Sequence, residues 1–230
     1  LGGSSAGASC AFREDRPYDG TFEFVRVQFT GPGFGGFQGP EWAHDYPRAD
    51  RNFIQVLSEV TNMEPRPDGC RVLRMDDPAI FDYPLIYLVE IGYWRPDEAE
   101  LEALRAYIAK GGFLIVDDFR QGQIENLIRI MSIVAPEYQV REIPDDHPVW
   151  DAFFRIEDPG ALIPLYGPRA PTYLGIFEDD DPNGRLLSVF NYNNDIAEYW
   201  EYSDQGYYPI DLSNEAYKFG VNYVVYAHTR

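Results

Sequence analysis

The stretch "KGGFLIVDDF", Lys110 to Phe119, decides how the chain is read. Gly111 and Gly112 end a helix, Phe113–Val116 is apolar at every position, and Asp117 and Asp118 close the run. A strand without polar alternation is buried on both faces, which is the condition of a central strand in a parallel sheet. Immediately upstream, "RPDEAELEALRAYIAK" (95–110) predicts a helix, with Pro96 in its first turn and Asp97 and Glu98 at its positive end. Leu101, Leu104 and Ile108 form its apolar stripe.

The same alternation extends in both directions. "TFEFVRVQF" (21–29), "RVLRM" (71–75) and "LIYLVEI" (85–91) read as strands. A helix runs from an Asp50 cap to about Val60, with Phe53, Ile54, Leu57 and Val60 on one face. Another runs from Ile124 to Val134, with Leu127, Ile128 and Met131 facing inward. "TYLGIF" (172–177) and "RLLSVFNY" (185–192) flank Asn183-Gly184, a hairpin signal, so the sheet gains an antiparallel extension. A last helix, from about Ser213 to Ala227, carries Phe219, Tyr223, Val224 and Tyr226. The expected architecture is an α/β, flavodoxin-like parallel sheet with helices on both faces. It forms one domain over 21–230, behind a flexible tail over 1–20.

A chain of 230 residues buries roughly 70% of its unfolded surface and needs no cross-links to stand. Its net charge of −19 repels phosphate backbones and anionic headgroups, which argues against nucleic-acid and membrane-surface partners. No apolar run approaches the roughly 18 residues of a membrane span. "LGGSSAGAS" (1–9) has the small-residue character found near a signal-peptide cleavage site, so export to the periplasm is expected. Export would allow Cys10 and Cys70 to pair; two plain thiols are the alternative.

Right-handed crossovers bring every strand-to-helix turn to one edge of a parallel sheet. Asp117, Asp118, Asp76, Asp77 and Glu90 should emerge there, either to hold a divalent cation or tune one another's pKa, or merely to cap helices. "PDDHPVW" (144–150) offers His147 as a base or ligand, or as a loop histidine bonded to backbone. "WAHDYP" (42–47) offers His44 beside Asp45. "DDDPNG" (179–184) opens like a calcium loop, but Phe190 stands where the bidentate Glu belongs, so it reads as a turn. The glycine-rich "TGPGFGGFQGPEW" (30–42) lacks phosphate-cradle spacing and is either a binding loop or a plain one. In "NYNNDIAEYWEYSDQGYYP" (191–209), Tyr192, Tyr199, Trp200, Tyr202, Tyr207 and Tyr208 suit a docking face, a sugar platform or packing on the sheet.

"WAHDYPRADRNFIQVLSEVT", "LRAYIAKGGFLIVDD" with "DDHPVW", and "FGVNYVVYAHTR" together resemble a bacterial family of unknown function. Its fold is similar to class I glutamine amidotransferases and the related trehalose-utilisation proteins. In an amidotransferase the strand matching "GGFLIV" leads to a nucleophilic cysteine; here Asp117 and Asp118 stand there, and no acyl intermediate can form. The chain also resembles, less closely, an extrinsic subunit of a bacterial photosynthetic reaction-centre complex. These resemblances imply a non-catalytic, cofactor-free and metal-free interaction module of an envelope membrane-protein complex, using the aromatic stretch as its face. The competing expectation is a carbohydrate-related enzyme or binder using His147, Asp117 and Asp118 with a divalent metal. The second requires His44 or His147 to converge with the aspartates; the first requires a broad exposed aromatic face.

Overall fold

The computed structural model describes residues 18–31, 39–66, 70–164, 167 and 169–230. Most of the N-terminal tail, with Cys10, and residues 32–38 of the glycine-rich loop lie outside these.

The apolar run after Gly111-Gly112 forms β4 (Phe113–Phe119), buried along its whole length. Its parallel neighbour is β3 (Leu85–Val89), and beyond that come β1 (Phe24–Gln28) and β2 (Cys70–Arg74). On the other side β4 pairs in parallel with β7 (Leu186–Tyr192). Antiparallel β6 (Thr172–Phe177) and the two-residue β5 (Arg141–Glu142) follow, so the order is β2-β1-β3-β4-β7-β6-β5. This is a flavodoxin-like, mostly parallel α/β sheet with an antiparallel end, as the alternation predicts.

Helices α1 (Arg48–Val60), α4 (Ile196–Glu201) and α5 (Ile210–Thr229) cover one face; α2 (Glu98–Ala109) and α3 (Ile124–Val134) cover the other. On the first face Phe53 stacks on Trp200 with ring centroids 4.4 Å apart, and Gly220 of α5 lets that pair approach the helix backbone. The start of α2 differs slightly from expectation. Asp97 is the cap, sharing a reciprocal box with Glu100, and Pro96 precedes it. Ile128 and Val60 are exposed rather than inward, and Leu101 is half-buried. Cys70 is disulfide-bonded. No helix among the described residues is long and apolar enough to cross a membrane.

Candidate metal centre

The site is built on the carboxyl ends of β1, β3, β4 and β7. The chain leaves β1 toward β2 on one side and returns to β3 on the other, so the loops after β1 and β3 diverge at the position where open α/β sheets hold their ligands.

Arg26, in the middle of β1, is wholly buried. Its Nε donates to Asp50 Oδ2 at 3.1 Å and its Nη2 to Asp50 Oδ1 at 2.5 Å. Nη1 reaches the carbonyls of Trp42 (3.3 Å) and His44 (3.0 Å). Asp50 is therefore not the cap of α1, which starts at Arg48. It lies inside the helix and turns inward because a buried guanidinium needs a carboxylate partner. The pair anchors the 42–44 backbone and so aims His44 and Asp45 across the sheet edge.

Asp45, Glu90 and Asp118 all have left-handed backbone, with φ of 62°, 54° and 48°. An L-residue there costs about 1–2 kcal/mol, less for Asp, so the edge gives up stability to place these carboxylates. At β4 the cause is a bulge. Val116 pairs with Phe190 but Phe119 pairs with Tyr192, so β4 advances three residues while β7 advances two. The bulge ends the strict alternation, and Asp117 and Asp118 are both buried.

The two aspartates have different work. Asp117 accepts from Tyr87 Oη (2.7 Å), Asn191 Nδ2 (3.0 Å) and the backbone N–H groups of Ile196 (3.0 Å) and Ala197 (3.1 Å). It ties β3, β4, β7 and α4 together, with three of its four donors on Oδ2 and one on Oδ1. Burial raises its pKa to about 6, partly offset by the bonds from Tyr87 and Asn191. Asp118 turns instead toward His44 and Arg120. Its Oδ2 lies 2.6 Å from His44 Nδ1, and its Oδ1 lies 3.8 Å from Arg120 Nη1.

Asp195, in the turn after β7, caps α4 through Oδ1, which accepts from Glu198 N at 3.0 Å. Among the described residues its Oδ2 is buried without a hydrogen-bond partner, and so are both carboxylate oxygens of Asp45, whose Oδ1 lies 3.8 Å from His44 Nδ1. His44, Asp45, Asp118 and Asp195 each offer a ligand atom, all within 4.8 Å of one another. Asp45, Glu198 and Glu201 form a second such group.

The electrostatics follow from burying like charges together. The bond to Asp118 pushes His44 up to about 9 against the opposing effect of burial. Desolvation, then the nearby Asp118, raises Asp45 and Asp195 well above the carboxylate range. The same causes raise Glu90 to about 8. Such a cluster keeps protons at neutral pH unless a cation replaces them. One imidazole with three carboxylates is a donor set for a divalent first-row metal such as Mn²⁺.

Of the residues singled out in sequence, His44, Asp45, Asp118 and Glu90 meet here; His147 does not. It sits by the β6–β7 turn at the opposite sheet edge, its ring against Phe177 and Tyr226. Nδ1 accepts from Val149 N and Nε2 is 3.2 Å from Gly184 O, so it is the backbone-bonded loop histidine. Asp77 caps a short helical turn over 78–82, and Asp76 pairs with Arg74. In the aromatic stretch Tyr199 and Trp200 are core residues, Tyr192, Tyr202 and Tyr208 are half-buried, and Tyr207 alone is strongly exposed, at 70%. Most of the stretch packs into the fold, the packing alternative of the sequence reading, and Tyr207 is its exposed ring. Asp195, Glu198 and Glu201 were not singled out in sequence. The Asp-x-x-Glu-x-x-Glu spacing of a capped helix start was their one available signal.

This fold defines an α/β domain that gathers buried carboxylates at the carboxyl side of its sheet. The chain belongs to the family described as Domain of unknown function (DUF4159), which matches residues 23–228. Comparison with curated proteins finds no match.

Proposed function

We propose that the domain is a divalent-cation-dependent enzyme or binding protein acting on a carbohydrate-related ligand, with His44, Asp45, Asp118 and Asp195 holding the ion. The observation that carries this reading is the set of buried carboxylate oxygens without hydrogen-bond partners, at Asp45 and Asp195, aimed into a histidine-containing group. Buried carboxylate oxygens left without a hydrogen bond are costly, and a cation is a ligand that relieves them. The ion would polarise a ligand oxygen or an attached water, and Glu90, near enough to Asp118 and His44 to feel both charges, would serve as the acid–base group. The carbohydrate class rests on the resemblance to trehalose-utilisation proteins and on the rings of Tyr202, Tyr207 and Tyr208, which pack together beside Glu198. The absence of a cysteine at the end of β4 argues against glutaminase chemistry.

The test is calorimetric titration with Mn²⁺, Zn²⁺, Mg²⁺ and Ca²⁺, paired with thermal unfolding. A saturating ion at about 100 times its Kd adds about 2.7 kcal/mol, a rise of roughly 5–11 °C in Tm for a chain of this size. Absence of heat and of any Tm shift with all four ions refutes the proposal.

A second reading, an exported interaction module of an envelope membrane-protein complex, photosynthetic or otherwise, is favoured by Tyr207 and Ile210, exposed at 70% and 78% only three positions apart. Native particle size after gentle membrane solubilisation tests it; a particle of 26.4 kDa would refute it.

A further inference from the structure

We infer that the centre takes two cations, with Asp45 bridging them. The second ion is held by Asp45, Glu198 and Glu201. This rests on the metal reading above and extends it from an ion-binding group to a two-ion centre.

Asp45 is the only residue shared by the two candidate ligand groups among the described residues. Its side chain is 1% exposed, and among the described residues neither oxygen has a hydrogen-bond partner, Oδ1 lying 3.8 Å from His44 Nδ1. A single ion satisfies one oxygen of a monodentate carboxylate and leaves the other buried and bare; a bridging position satisfies both.

Glu198 and Glu201 stand three apart on α4, so they project from one side of the helix toward Asp45. Tyr208 Oη donates to Glu198 Oε1 at 2.8 Å, which leaves Oε2 for a metal and fixes the carboxylate's direction, as supporting partners of metal ligands do.

The two positions differ in chemistry. The first, with an imidazole and buried carboxylates, suits a transition metal. The second is all oxygen, and its two glutamates are half-buried, so it suits a hard ion that keeps open coordination positions on the solvent side. The ligand class that fits is one presenting two adjacent oxygens, either a vicinal diol or an oxyanion. Each oxygen meets one ion, in the manner of two-metal centres with ions about 3.5–4 Å apart.

Mn²⁺ serves as the probe because it accepts both donor sets. The full chain is titrated with Mn²⁺ by calorimetry, and the loaded protein is examined by electron paramagnetic resonance. The expected result is two ions per chain with an exchange-coupled spectrum. E198Q/E201Q should reduce this to one ion with an uncoupled spectrum, while the first ion's affinity changes less than the roughly 10–100-fold cost of losing an outer-sphere partner. Glutamine at 198 still accepts the Tyr208 bond, so the variant should fold, and circular dichroism checks this. One ion in the wild type overturns the second site and leaves the first reading standing. Two ions that E198Q/E201Q does not affect overturn the placement. No bound ion overturns both.

Discussion

Replacing Arg26 by Met removes a guanidinium from the middle of β1 and leaves the Asp50 carboxylate wholly buried without its partner. Breaking a buried ion pair from one side costs about 3–5 kcal/mol, most of it the desolvation of the charge left behind. At about 2–4 °C per kcal/mol for a chain of this size, Tm should fall by roughly 6–20 °C. The double variant R26M/D50L removes both charges and should recover at least half of that loss. It does not restore the donors that hold the carbonyls of Trp42 and His44, so Mn²⁺ affinity should stay low even where stability returns. Differential scanning calorimetry reads the first quantity and Mn²⁺ titration the second. Wild-type Mn²⁺ affinity in the double variant would refute the claim that this pair aims His44 and Asp45.

Three other outcomes are expected. D45N should raise the Tm of metal-free protein, because an amide needs no proton uptake on burial whereas burial forces the Asp45 carboxyl to hold one, and should abolish the Tm gain from Mn²⁺; a destabilised variant that still gains would contradict the site. G220A places a Cβ 2.5 Å from both Phe53 and Trp200, so overpacking should cost about 1–3 kcal/mol in urea unfolding, and a neutral result would mean that the α1–α4–α5 face is loose. Metal-free protein should lose stability as pH rises. Glu90 holds its proton up to about 8 when folded against an ordinary 4.5, and His44 up to about 9 against 6.5. For both groups the folded chain binds more protons than the unfolded one across that window, so a Tm in EDTA that is flat or rising from about pH 6 to about pH 9 would refute the burial of these charges.

The sheet was legible because its signal is local. Phe113–Val116 has no polar residue to place, and a glycine pair marks its start. Helix faces were less exact: Val60 and Ile128 sit at the margins of their stripes, where a small rotation decides between core and solvent. Asp50 was misplaced because an aspartate ahead of an apolar stripe looks like a cap, while the buried arginine that claims it lies 24 residues away. The site was half legible. Sequence marked His44, Asp45 and Asp118, but favoured His147, whose proximity to the aspartates depends on which sheet edge its loop reaches. Asp195, Glu198 and Glu201 became part of the site only because β7 lies next to β4.

That adjacency has a consequence for biogenesis. Leu114 pairs with Ser188, so one flank of β4 waits for a partner 74 residues further along the chain (188 − 114 = 74). A nascent chain emerging amino end first can assemble β1 to β4 early, yet it then carries an uncovered apolar strand edge until β7 is made. Such an edge invites pairing with the wrong strand or with another chain. The interval between translating β4 and β7 is therefore when this protein most needs a chaperone, and truncations within 120–185 should aggregate rather than persist as smaller folded units.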